Sequence, residues 1–209
     1  LSSENQINAK QTWLQSAFMG QAKVEPKEWL DPLQVTSWGY RRKARLGVRY
    51  VHKKEKVLVG FRERKSSFIT VMDRCEVLHP SLGDSLSVLG ECIGKLSVKS
   101  QIPQIEVAIA ERDTILILRH LEPLTIEDEA VLRDYAERLS ITWYMQSGGM
   151  NTVKPLDDVV NLSYNLPEYN IEMAFLPTDF TQVNFELNQK MLNLALSLLA
   201  LNDEDKVID

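Results

Sequence analysis

In Tyr40-Arg41-Arg42-Lys43-Ala44-Arg45-Leu46-Gly47-Val48-Arg49-Tyr50, basic and apolar residues alternate. Successive side chains of a strand point to opposite faces. Arg41, Lys43, Arg45 and Arg49 therefore fall on one face, and Ala44, Leu46, Val48 and Tyr50 on the other. Residues 52–55 form a polar turn, and Val57, Val59 and Phe61 carry the period onto a second strand. The pair reads as a β-hairpin. One face is apolar and packs; the other is cationic and turned outward.

Upstream of this hairpin, Ser2 or Ser3 is placed to cap a helix, with Gln6 three residues beyond Ser3, the spacing of a capping box. Ile7, Trp13, Leu14, Ala17 and Phe18 give that helix a loose apolar stripe, and Gly20 offers a stop. Residues 24–37 carry Pro26 and Pro32 and read as an extended connector. Downstream, Phe68, Ile69 and Val71 predict a short third strand ending at Cys75. Leu82, Leu86, Leu89, Ile93 and Leu96 predict one helix over residues 80–96. Residues 105–110 and 114–118 read as strands around a turn. Thr125 caps a helix running to about Leu139, with Glu127, Asp128 and Glu129 in its first turn.

Residues 141–145 give a further strand, Ser147-Gly148-Gly149 a loop, and residues 162–164 and 171–176 two more strands. Leu187, Met191, Leu194, Ala195 and Leu198 mark a strongly amphipathic helix over residues 184–201. Residues 205–209 have the form of a strand opening after a polar turn. The expected fold class is α+β. Residues 1–37 supply a helix and connector, residues 38–168 a central mixed α/β domain with antiparallel hairpins, and residues 169–209 the start of a further domain.

The chain's 209 residues are 44% hydrophobic and 25% charged, as in soluble globular proteins. No apolar run approaches the roughly 20 residues that span a bilayer, and residues 1–10 lack the apolar segment of a secretory signal. Two cysteines do not make a disulfide framework. A reducing cytoplasm is the expected compartment. The net charge of −5 conceals an asymmetry. Residues 41–65 hold eleven basic against two acidic residues, or +9, leaving 13 basic against 27 acidic elsewhere. Such a concentrated block on an acidic protein suits a polyanion.

Three segments are more specific together than any one alone. The first is Trp38-Gly39-Tyr40-Arg41-Arg42-Lys43-Ala44-Arg45-Leu46, followed by Val59-Gly60-Phe61-Arg62. The second is Asp73-Arg74-Cys75-Glu76-Val77-Leu78, and the third Phe175-Leu176-Pro177-Thr178-Asp179-Phe180-Thr181-Gln182-Val183-Asn184 with Asn188-Gln189-Lys190-Met191 beyond it. In this order they resemble the RNA uracil-5-methyltransferase family, most closely its 23S rRNA-modifying branch, across essentially the whole chain.

The resemblance implies a larger parent enzyme with an amino-terminal OB-type domain, a central domain carrying a [4Fe–4S] cluster, and a Rossmann-like methyltransferase domain that begins within residues 169–209. It implies that Arg41, Arg42, Lys43, Arg45, Arg49 and Arg62 contact 23S rRNA. Phe180 would lie by the target uracil, Gln182 would contact S-adenosyl-L-methionine, and Cys75 would be one cluster ligand. In that chemistry a cysteine thiolate adds to C6 of a flipped-out uracil, making C5 nucleophilic toward the cofactor's methyl group. No catalytic residue is expected within this chain. Neither membrane nor DNA is an expected partner, and a monomer is expected.

Each of these residues has a plainer reading. The basic block can be a solvated hairpin face, although its single-sided arrangement and the interleaved Tyr40, Tyr50 and Phe61 favour RNA. Cys75 and Cys92 can be small buried hydrophobes; one thiol does not hold a cluster, so Cys75 is expected free. Asp179 and Asn184 are candidates to cap the following helix. His52, His79 and His120 lack metal-ligand spacing. A non-catalytic RNA-binding module, or a protein-interaction domain with a basic hairpin, remains open on the residues alone.

Overall fold

The computed structural model describes residues 2–208. The chain forms two compact units, one of Trp38–Phe185 and one of Leu1–Ser37 with Glu186–Asp209.

The larger unit is built on the alternating stretch. β1 (Lys43–Val51) and β2 (Lys56–Gly60) form the expected hairpin, with Glu55 taking the left-handed turn conformation at φ 46°. β1 also pairs with β3 (Gln104–Ile109), which pairs with β4 (Thr114–Arg119). β4 pairs in parallel with β5 (Thr142–Gln146), and a two-residue strand β6 (Lys154–Pro155) closes a six-stranded sheet of order β2-β1-β3-β4-β5-β6. The single parallel step needs a crossover, which α4 (Ile126–Leu139) supplies. The acidic first turn read from the sequence does cap it. Thr125 Oγ1 accepts from Asp128 N–H, and the Asp128 carboxylate accepts from Thr125 N–H, each at 3.1 Å. That carboxylate also accepts from Ser97 N–H (2.6 Å) and Ser97 Oγ–H (2.7 Å). Burial pushes its pKa up, but these hydrogen bonds outweigh burial and hold it below the usual carboxylate range.

The helix predicted over residues 80–96 is two helices, α2 (Pro80–Gly83) and α3 (Leu86–Lys95). The carbonyl of Gly83 accepts from Cys75 N–H at 2.8 Å, while Ser87 N–H donates to Asp73 O instead. The helical bond across the junction is therefore absent. Gly83 is needed there: a Cβ would stand 2.7 Å from the Cys75 carbonyl oxygen. The strand predicted near residues 68–75 does not form either. Its residues make one bridge, Arg62 to Ile69, and then turn away. α3 and α4 lie on one sheet face, where Leu46, Val48, Val57, Val59, Ile105, Val107, Leu116, Leu118 and Trp143 join Leu86, Leu89, Ile93, Leu132 and Tyr135 in one core.

The opposite face is divided. At one end Ala108, Ala110, Ile115, Ile117, Tyr144 and Leu162 form a second apolar cluster, with Phe175 packed against it. Leu162 and Phe175 come from a separate hairpin, β7 (Leu162–Leu166) and β8 (Ile171–Phe175). Glu111 anchors this hairpin, its carboxylate accepting from Asn165 N–H and Nδ2–H, each at 2.8 Å. The border expected between residues 168 and 169 falls inside this hairpin, next to the turn Pro167–Tyr169, whereas the compact unit runs on to Phe185.

In the other unit, α1 (Ser3–Ser16) is capped by Ser2, whose side chain accepts from Asn5 N–H at 3.2 Å. Gly20 does not stop it. The chain continues through a π-helical turn, Ala17–Ala22, and ends at Lys23, the left-handed residue. Phe18 meets Trp29 edge-to-face at 5.7 Å. α5 (Phe185–Leu199) has the expected apolar periodicity, and Lys190 Nζ donates to Gln34 O at 3.0 Å. Residues 205–208 form no strand; Asp209 lies outside the described residues.

Candidate functional site

All three specific segments of the sequence meet at the start of β1. Gly39 N–H donates to Glu76 O (2.8 Å), Arg41 N–H to Val77 O (2.9 Å), and His79 N–H to Arg41 O (2.9 Å). Gly39 has φ +64°, and a Cβ there would meet the Pro80 ring at 3.3 Å, so glycine is required. On the next residue, Arg42 N–H donates to Val183 O at 2.9 Å. Segments far apart in the chain thus hang on Gly39, Arg41 and Arg42, in the few residues that lead into β1.

The side chains at this end are equally committed. Arg42 Nη1 donates to Ala110 O at 2.6 Å, and its guanidinium lies 5.0 Å from the centre of the Phe185 ring. Lys43 Nζ donates to Pro177 O. Both are half-buried, and burial lowers both pKa values, partly opposed by Glu111 for Arg42 and by Glu106 and Asp179 for Lys43. These two cations hold the segment between β8 and α5. In that segment Asp179 closes a turn, its carboxylate accepting from Leu176 N–H at 2.7 Å, rather than capping α5 as sequence suggested. Thr181 is buried beneath the turn, while Phe180 (85% exposed) and Gln182 point outward.

Further along β1 the basic residues behave differently. Arg45 and Arg49 are exposed, as are Lys53, Lys54 and Lys56 at the hairpin turn and Arg62 beyond β2. Arg45 makes a 3.0 Å ion pair with Glu106. The aromatics read as interleaved with these cations are partly withdrawn: Tyr50 and Phe61 pack on the core side of the sheet. Cys75 is half-buried and Cys92 buried, and both are free thiols. Burial pushes the Cys92 thiol up to about 12.

One cluster, Arg45 apart, is made of residues not chosen from sequence. Strand register sets Gly47, Gln104, Arg119 and Gln146 in one row across β1, β3, β4 and β5, with Arg45, Glu106, Ile117 and Tyr144 in the next. Where the β7–β8 hairpin leaves this face uncovered, these rows and residues 148–150 enclose an open bowl of about 320 Å³. The available signal was polarity out of place, in Gln104 and Glu106 within β3 and Arg119 closing the apolar run Thr114-Ile115-Leu116-Ile117-Leu118.

The fold is similar to that of a solved structure. A tRNA (uracil-54, C5)-methyltransferase of Pyrococcus abyssi, solved in complex with S-adenosyl-L-homocysteine, is similar over 99% of this chain and 50% of that one, with a TM-score of 0.64 and 17% identity. The sequence is similar to a particular group of curated proteins, the 23S rRNA (uracil(1939)-C(5))-methyltransferases named RlmD. The protein of Vesicomyosocius okutanii subsp. Calyptogena okutanii is 64% identical over all 209 residues, covering 48% of its own length. That of Bordetella avium is 46% identical over 98% of this chain and 44% of its own. The chain spans about half the length of the curated relatives it matches. No protein-family model matches.

Proposed function

We propose that this chain is the RNA-docking part of an S-adenosyl-L-methionine-dependent methyltransferase that forms 5-methyluridine in 23S rRNA. The observation that carries this reading is 64% identity along the whole chain to a protein named for that reaction. The convergence of the three specific segments on β1 supports it.

The geometry supports a division of labour. Arg41, Arg45, Arg49 and Arg62, with the turn lysines, meet RNA phosphates and give an affinity that falls with salt. Arg42 and Lys43 shape the segment 176–184 rather than the RNA. That segment offers Phe180 to the face of the target uracil and Gln182 to the cofactor. When bound, the cofactor supplies an electrophilic methyl group. An exposed aromatic and an exposed amide on a pinned segment fit one wall of such a site, not the whole of it. The uracil must leave its stack to reach that wall.

Neither thiol here suits the nucleophile's role. Cys92 is sealed in the core and stays protonated at neutral pH. Nor do these residues by themselves fit a [4Fe–4S] cluster, which takes four thiolates. Among the described residues no group of three or more metal-binding side chains occurs. Cys75 would supply one thiolate, with the other three from outside these residues. No helix among the described residues is long and apolar enough to cross a membrane. A cytoplasmic monomer acting on RNA rather than DNA completes the reading.

Titration of the chain with a 23S rRNA stem–loop tests it. With four arginines and three turn lysines on phosphates, log K should fall with log salt at a slope of roughly −5 to −6. Equal affinity at roughly 50 and 200 mM salt defeats the reading.

A further inference from the structure

The bowl on the sheet face is polar where a sheet face is usually either covered or fully solvated. Its floor holds Arg119 and Gln146, its near wall Glu106 and Arg45, and its rim Met150. Arg119 Nε–H is buried without a hydrogen-bond partner among the described residues. Gln146 is only 7% exposed, and no side-chain hydrogen bond is recorded for it among the described residues. Burying the Arg119 Nε–H without a partner is unfavourable. Glu106, by contrast, is already held by Arg45 at 3.0 Å and Gln104 Nε2 at 2.8 Å. The fork of one guanidinium and one amide is therefore free, beside a carboxylate whose position is fixed.

We propose that the bowl receives one unstacked guanine of the bound RNA. This rests on the RNA-docking reading above. A guanine edge presents acceptors at O6 and N7, which an arginine fork matches, and donors at N1 and N2, which a carboxylate matches. Arg119 and Glu106 provide that pair from adjacent rows of one sheet. The Gln146 amide, able to donate or accept, fills in beside them. Arg45 at the wall meets the adjoining phosphate, and Met150, 67% exposed, offers a face for the ring. At about 320 Å³ the bowl lies within the range of small-ligand pockets, about 300–1,000 Å³. Single-stranded RNA is read in this way, by unstacked bases in pockets. The bowl would thus select a base other than the methylated one.

Fluorescence anisotropy on the chain with four labelled pentanucleotides, UUGUU, UUAUU, UUCUU and UUUUU, tests this. UUGUU should bind about tenfold more tightly than the others. Arg119→Lys keeps the charge, loses the fork, and should abolish that preference. A preference for another base, or none, overturns the proposal. In the unaltered chain the Gln146 side-chain amide signal should shift in NMR spectra on adding UUGUU and not UUUUU; an unmoved signal overturns it even if Arg119→Lys fails to fold. Salt-dependent binding of all four RNAs without discrimination sinks the bowl alone. Absence of binding to any RNA, the rRNA stem–loop included, sinks the docking reading as well.

Discussion

The two ends of the basic block make an instructive pair. At Arg42 and Lys43 the cations sit among backbone carbonyls of segments that come from far along the chain: Ala110 for Arg42 and Pro177 for Lys43. From Arg45 to Arg62 they stand at the sheet surface, with one ion pair to Glu106. Both ends are basic. What differs is the supply of buried acceptors. A half-buried guanidinium bonded to a carbonyl is a tie in the fold, whereas an exposed one is free for a polyanion. Counting charges therefore overestimates the docking surface, and the register of β1 corrects the count.

Mutations can break or sharpen this contrast, and the largest effect is expected at the buried end. Arg42→Ala removes a charge-assisted hydrogen bond and the stacking over Phe185, and should destabilise the chain by about 2 kcal/mol. Urea unfolding reads this directly, and limited proteolysis should show new cleavage near residues 176–184. An unchanged midpoint would erase the distinction between the two ends. At the exposed end, Arg49→Ala with Arg62→Ala should move stability by no more than about 0.5 kcal/mol. The same pair should weaken binding to the rRNA stem–loop about tenfold and make the salt slope shallower by about two.

Lys43→Met keeps the packing of the stem and loses only the ammonium–carbonyl bond, so a loss of about 1 kcal/mol is expected in the same unfolding measurement. The smallest effect is in pH dependence. Burial first, and then the charge of Arg42, hold the His79 imidazole below its ordinary value. Its Nδ1 accepts from Ser81 N–H at 3.3 Å, which protonation would abolish. In the unfolded chain His79 takes its proton near pH 6.5. The unfolded state then binds more protons, so stability should fall as pH drops from about 6.5 toward the lowered folded value. His79→Gln should flatten that slope, and Arg42→Met should make it shallower. A slope identical in all three chains would show that Arg42 does not act on His79.

Much of the fold was legible because it rests on local rules. The β1–β2 hairpin follows from strict alternation, and α4 from Thr125 and Asp128 at cap and third position. Two of the misread elements fail for one reason. Over residues 80–96 the apolar stripe is real, yet the Gly83 carbonyl is claimed by Cys75, eight residues earlier in the chain. Over residues 68–75 the β-formers found only one bridging partner, at Arg62. In both cases a non-local hydrogen bond decided between conformations that the local sequence left nearly balanced.

The candidate site divides along the same line. Phe180, Gln182, Arg45 and Arg49, singled out from sequence, are all exposed. The clamp made by Arg42 and Lys43 was hidden, because an arginine's partner carbonyl leaves no trace in composition. The bowl was hidden too, since Gln104, Arg119 and Gln146 are neighbours only by strand register.

The sequence by itself determined which residues alternate, which helices are capped, and where positive charge gathers, because those properties depend on neighbours within a few positions. Only the tertiary structure decided which cations are bound to carbonyls and which polar side chains share one row. Those outcomes depend on the pairing of strands that lie tens of residues apart, and pairing fixes distances that no local pattern encodes.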